Sequence, residues 1–337
     1  MFNKQLISVV VPVHNGAQWI RQTLDSLFAQ TYRHFEIILV DDASSDNLSE
    51  VLASFHEPRL QVVHLNTNVG VSAARNLGIE IAKGTYIAFC DADDLCQPQR
   101  FKQQLDFLGQ HTEIGLCGSA FICFDTQEHE TISNPVSDTE IRKSLLQGNC
   151  FGLSTVMGRA NVFKTNRFDE ALSVAEDYDL WTRLVVAGVP LANLPESLIH
   201  YRWHPQQASR SKSKKLDQAT RKIRSFYSAS LLGDPKLLAR MHTGSLDLYD
   251  LDAAAESIAT YTFQNKGFEH KDFRFMLAWM YQLLPTHGVR EWLYWTGIQQ
   301  KNQLQLDRNY RLNTALLAFL PAKLGRKYFD TLIKLKR

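Results

Sequence analysis

The segment LISVVVPV, residues 6–13, is almost continuously apolar and rich in β-branched side chains, and HNGAQWIRQTLDSLFAQTY comes directly after it with Ile20, Leu24, Leu27 and Phe28 at helical spacing. A strand without polar alternation is one covered on both faces, which is the condition of a strand inside a parallel sheet. The pattern then repeats. FEIILVDDAS reads as a second strand, NLSEVLASF as a helix, LQVVHL as a third strand, VGVSAARNLGIEIAKG as a helix stopped by Gly84, and TYIAFCDADD as a fourth strand. Such alternation predicts an α/β fold, a doubly wound, mostly parallel sheet with helices on both faces. Ligands of these sheets bind outside the carboxyl ends of the strands, so polar residues at those ends are the place to look for chemistry.

The alternation becomes less regular after residue 100, running through IGLCGSAFICF to AEDYDLWTRLVVAGVP, a helix with Leu180, Trp181, Leu184 and Val185 on one face. SRSKSKK, residues 209–215, is basic and Ser-rich and reads as a linker or mobile loop. Helix formers and aromatics dominate beyond it. The 337 residues therefore divide into an α/β domain, 1–214, and a helical C-terminal region, 215–337. A net charge of +2 gives no footing for a nucleic-acid binder. The five cysteines form no CxxC pair and several lie in apolar runs, as expected for buried thiols in a reducing compartment. The N-terminus carries no signal-peptide pattern and no stretch reaches the length of a membrane span, so a cytoplasmic location is expected.

Carboxylates gather at two strand ends: Asp41 and Asp42 close the second strand, and Asp91, Asp93 and Asp94 close the fourth. Such groups repel unless a cation or hydrogen-bond donors compensate. Each cluster alone is compatible with a solvated turn. Two at equivalent strand ends favour a shared crevice with a hard divalent ion, Mn2+ or Mg2+, which takes oxygen ligands and leaves sites open for substrate phosphates.

The ordered segments ISVVVPVHNGAQWIRQTLDSLFAQTYRHFEIILVDDASSDN, NVGVSAARNLGIEIAKGTYIAFCDADD and AEDYDLWTRL resemble the successive motifs of the family 2 inverting glycosyltransferases, enzymes of the GT-A fold that use nucleotide sugars. The resemblance covers roughly residues 5–210. It implies that Pro12, His14 and Asn15 wall the nucleotide base, that Asp42 bonds the base, and that Arg75 lies over or beside the nucleotide. It further implies that Asp93 touches the ribose and that Asp94 holds the Mn2+ or Mg2+ bridging the phosphates, leaving Asp91 a structural role at the turn. One departure is Ala43, which stands in DDAS where the family usually has glycine.

The family's catalytic base corresponds to Asp177 of the ED pair, and a helix N-terminus favours the ionised carboxylate that a base requires. His204 is placed as a further metal ligand or a phosphate donor, while Glu176, Arg202 and Arg210 are placed as diphosphate or acceptor contacts. The basic, aromatic segment LNTALLAFLPAKLGRKYFDTLIKLKR fits either peripheral contact with an anionic membrane or a helix docked on its own domain. The expected activity is metal-dependent, inverting transfer of one sugar from a nucleotide diphosphate donor, with UDP the expected nucleotide, to a hydroxyl of a glycan or lipid-linked acceptor in bacterial surface-polysaccharide or lipopolysaccharide synthesis. Ile199 stands where processive relatives carry the Gln of Q-x-x-R-W. The alternative is a non-catalytic nucleotide-sugar or glycan-binding module. A nicotinamide dehydrogenase or a sugar nucleotidyltransferase would need a Gly-rich phosphate loop after the first strand, and PVHNGAQWI has none.

Overall fold

The computed structural model describes residues 5–124, 130–204, 207, 213–243, 246–274, 276–277, 280, 284, 289–302 and 304. All residues of β1 (Ile7–Val13) are buried, as its uninterrupted apolar run requires. It pairs in parallel with β2 (Phe35–Asp41) and β4 (Tyr86–Phe89), and β2 pairs in parallel with β3 (Leu60–His64). Side chains alternate across a strand. Val9, Val11 and Val13 therefore share a core with Ile20, Leu24 and Leu27 of α1 (Ala17–Phe28), while Val10 points the other way, toward α3 (Val71–Ile81). Gly78 of α3 lets that helix lie close: a Cβ there would come within 2.5 Å of a Val10 methyl. The short α2 (Leu48–Ala53) completes this half.

The remaining strands make the sheet mixed. β8 (Met157–Arg159) enters antiparallel between β4 and β6 (Leu116–Phe124); β9 (Leu191–Arg202) runs parallel to β6, and β5 (Leu95–Cys96) is antiparallel at its edge. The order is β3-β2-β1-β4-β8-β6-β9-β5, with β7 (Glu130–Ile132) on β6. Four of the strand pairings are parallel and the others antiparallel, so the sheet is less parallel than its apolar runs suggest. An apolar run reports burial, not direction. Helices α4 (Arg100–Gln110), α5 (Asp138–Leu145), α6 (Ala160–Thr165) and α7 (Glu176–Val186) lie between these strands in sequence. Two registers bring the acidic strand ends together with their neighbours. Val13 is level with Asp41, so β1 and β2 release their next residues side by side, and Leu95 is level with His200, which brings the chain after β4 beside the end of β9.

The chain separates into two compact units: residues up to Ser144 with Asn149–Thr220, and Leu145–Gly148 with the residues from Arg221 onward. The division falls inside α8 (Ser213–Leu232). The second unit contains α9 (Pro235–Thr243), α10 (Leu248–Gln264) and α11 (Val289–Lys301). A reciprocal capping box between Asp247 and Asp250 starts α10, and Leu251, Ala254, Ala255, Ile258, Phe273 and Trp295 form buried apolar surface. Among the described residues no helix is long and apolar enough to cross a membrane. Arg210 and the basic segment 312–337 lie outside the described residues.

Candidate active site

The ends of β1 and β2 are tied together by side-chain bonds to main chain. His14 Nδ1 donates to the carbonyl of Asp42 at 2.8 Å, and its Nε2 accepts from Asn15 Nδ2 at 3.2 Å. Asn15 Oδ1 accepts from the Ser45 and Asp46 amides, which fixes the loop after β2. Asp42 is buried, and its two oxygens accept from the amides of Val69 at 2.7 Å and Gly70 at 2.9 Å, the turn that opens α3. Gly70 sits at φ +90, a conformation that suits glycine. Asp41 bonds Ser44 N and His64 Nδ1; burial opposes its ionisation, but those bonds win and hold it below the usual carboxylate range. Pro12 lies within β1, buried and level with Val40, so it supports this end from inside the sheet.

Ala43, which stands where the resembled pattern has glycine, adopts left-handed backbone at φ 56. Asn15 at φ 54 and Ala175 at φ 58 are the other non-glycine residues with left-handed backbone among the described residues. Each neighbours a residue singled out from the sequence. Left-handed backbone is costly for a residue with a Cβ and persists where the surroundings over-determine it.

The end of β4 is built differently. Arg75, 4% exposed, donates to Asp91 at 2.8 Å and to Glu176 at 2.6 Å, with its guanidinium over the Phe168 ring. The structural role expected of Asp91 is thus a bond to a cation. The salt bridges join the end of β4, through α3, to the start of α7. Asp93 Oδ2 meets His204 Nε2 at 2.9 Å; burial and the Asp91 charge raise the Asp93 carboxyl above its usual range, with His204 opposing. Asp94 is fully buried. Its Oδ1 accepts from the Arg202 amide at 2.9 Å, and its Oδ2 has no partner at hydrogen-bonding geometry. Burial, then Asp93 and Asp91, push its carboxyl well above the usual range, although the nearby Ser154 hydroxyl and the Arg202 amide favour the ion. Arg202 turns inward: its guanidinium lies between the Trp19 and Phe124 rings and donates to the Asp93 carbonyl and to Gln22. As placed, it braces the acidic turn and does not present its charge to solvent.

Glu176 and Asp177 occupy the first turn of α7 behind Ala175. Asp177 Oδ1 accepts from the Tyr178 amide and its Oδ2 from Asn149 Nδ2, both at 2.7 Å. Part of its side chain reaches the surface, yet burial, followed by repulsion from Glu176, raises its pKa to about 7 against the opposing pull of the Tyr178 amide, Arg75 and Asn149. The helix terminus alone would keep this carboxylate ionised far lower. Asn149, Ser154, Phe168 and Trp19 escape a motif reading because each acts through contacts that only the fold creates.

The donors at the end of β4 suit a hard divalent ion. Asp93 and His204 converge from different elements and both side chains are partly open. Among the described residues no three His, Cys, Asp or Glu side chains form a complete cage, so such an ion would draw further ligands from phosphate and water.

Residues 8–167 match the family described as Glycosyl transferase family 2. An uncharacterized glycosyltransferase of Rickettsia conorii is 34% identical over 191 residues, 54% of this chain, and the match spans only 30% of that longer protein. The amylovoran biosynthesis glycosyltransferase AmsE of Erwinia amylovora is 32% identical over 58% of this chain and 76% of its own length. The crystal structure of S. aureus TarS 1-349 in complex with UDP-GlcNAc has the same fold, with a TM-score of 0.58 at 17% identity over 96% of this chain and 92% of that one. The fold is GT-A, the protein is a glycosyltransferase, and the chain belongs to glycosyltransferase family 2.

Proposed function

We propose that this enzyme transfers one sugar, with inversion, from a UDP-linked donor to a hydroxyl of a glycan or lipid-linked acceptor, with Asp177 as general base. The observation that carries the proposal is the salt-bridged path from Asp91 through Arg75 to Glu176, which holds the base beside the acidic end of β4. A carboxyl raised to about 7 retains enough basicity to take a hydroxyl proton and is still substantially ionised near neutral pH. The acceptor oxygen loses its proton to Asp177 as it attacks the anomeric carbon opposite the departing diphosphate. His14, Asn15 and Asp42 form the nucleotide side; each Asp42 oxygen retains a lone pair after accepting its main-chain bond. A UDP-linked donor is supported by TarS, which has this fold and carries UDP-GlcNAc.

Asp93 and His204 would hold the divalent ion, which when bound supplies neutralising charge to the leaving diphosphate. This assignment moves the metal from Asp94, where the family pattern implies it, to Asp93. Diphosphate must reach the metal, and Asp94 is fully enclosed with one oxygen on a main-chain amide, whereas Asp93 is partly open. Polysaccharide assembly is the proposed context, supported by the amylovoran biosynthesis glycosyltransferase AmsE. A thermal-shift titration of UDP, GDP and other nucleotide diphosphates, with and without Mn2+, tests the donor reading. Stabilisation by UDP with Mn2+ is expected; selective response to another nucleotide, or a response indifferent to EDTA, overturns it.

A further inference from the structure

The loop after α5 is fastened to α7 at two points one helical turn apart. Asn149 Nδ2 donates to Asp177 Oδ2 at 2.7 Å, and the Phe151 ring packs on Trp181 with centroids 5.5 Å apart. Positions four apart on a helix share a face, so both attachments hold the same side of α7. The Asn149 amide is itself oriented: its Oδ1 accepts from the Phe151 amide at 3.1 Å, which leaves Nδ2 facing the carboxylate. Phe151 and Trp181 are buried, whereas Asn149 is exposed, so this bond lies on the solvent side of the helix start.

We infer that Asn149 is a positioning residue for the transfer base. With Oδ1 held by Tyr178 N and Oδ2 by Asn149, rotation of the carboxylate about its terminal torsion is restricted, and one lone pair on each oxygen remains for the hydroxyl proton. A misaligned base costs rate without loosening the donor. The inference rests on the reading of Asp177 as the base. The charged groups facing that carboxylate are Glu176 on its own helix and Arg75 from α3; Arg75 is also bound to Asp91. Asn149 is uncharged, so its removal leaves these charges in place and acts through the lost bond. Because that bond favours the ionised form, its loss raises the pKa.

Transfer rates of the full-length chain measured against pH with saturating donor and Mn2+ test the inference. Asn149→Ala is expected to lower kcat by roughly 10- to 100-fold, leave the donor KM within about twofold, and move the acid limb of the profile upward. Asn149→Gln, which keeps an amide donor, recovers part of both changes, while Phe151→Leu lowers thermal stability and leaves the acid limb in place. An Asn149→Ala enzyme with unchanged kcat and acid limb overturns the inference, as does a Phe151→Leu enzyme that reproduces the limb shift. Asp177→Asn in the same series separates the two ideas: retained transfer there defeats the base reading, whereas lost transfer beside a normal Asn149→Ala enzyme defeats only the positioning role.

Discussion

At the end of β2, both oxygens of Asp42 are answered by the main-chain amides of Val69 and Gly70, and Asp41 is answered by Ser44 and His64. At the end of β4, Asp93 has a histidine, Asp94 has one amide and an oxygen with no hydrogen-bonding partner, and both carboxyls are pushed upward by burial and by neighbouring carboxylates. These ends are neighbours across β1 and carry the same residue type. The difference lies in who supplies the compensating donors. Where the protein supplies them, a carboxylate holds a loop in shape; where it withholds them, a carboxylate is left for some other group to answer. Asp177 combines the two conditions: both its oxygens have donors, yet burial and Glu176 prevail over those hydrogen bonds and raise its pKa.

The comparison is broken most severely at Asp177. Asp177→Asn should reduce transfer by roughly 10²–10⁴-fold, the scale of general-base catalysis, with UDP affinity largely kept; a quantitative transfer assay paired with UDP calorimetry reads both. At the end of β4, Asp93→Asn should weaken the Mn2+-dependent part of UDP binding by at least the roughly 10–100-fold that loss of an outer-shell partner costs. Asp94→Asn should leave most of it intact. Calorimetry with and without Mn2+ decides, and the opposite ranking would return the metal to Asp94.

A pH series sharpens the same contrast. With Asp177 as the proposed base, transfer needs its ionised form, so kcat/KM should fall as pH drops through about 7. The stability sign is opposite. The folded protein holds this proton more tightly than the unfolded chain between 3.8 and about 7, so the group costs stability as pH rises through that window. An Asp177→Asn enzyme should therefore lose less stability across this range, as read by denaturant unfolding.

Smaller effects are expected at the end of β2. Asp42→Ala strands the Val69 and Gly70 amides and should cost about 1–3 kcal/mol in chemical denaturation. Ala43→Gly removes left-handed strain of about 1–2 kcal/mol but adds about 0.4–1 kcal/mol of unfolded-chain entropy. A small net gain in thermal stability is expected, and a loss would show that Ala43 makes a contact worth more than its strain.

The buried strands around β1 are legible because a continuous β-branched run has few ways to be satisfied other than cover on both faces. Strand direction is not legible in this way, and β8 joins the sheet antiparallel through pairings such as Ala88 with Met157, which no local pattern announces. The acidic strand ends are visible as motifs, while the partition of labour among Asp91, Asp93 and Asp94 depends on which neighbours the fold delivers. Arg202 looks like an open phosphate ligand in the sequence, but Trp19 and Phe124 enclose it. Asn149 leaves no pattern at all, since its importance comes from one contact with a helix 28 positions away.

The four residues Leu145–Gly148 belong to the helical unit although the chain on either side of them belongs to the other. Within that unit, Gln147 accepts from Arg224 at 2.9 Å and from Arg274 at 3.1 Å. The polypeptide is therefore stitched through the helical unit twice. A cut at the start of α8 therefore leaves the two parts of the chain that build the helical unit on different fragments. An expression fragment ending at Thr220 keeps Leu145–Gly148 and loses the surroundings in which they pack, so a boundary that looks like a hem is in fact a seam.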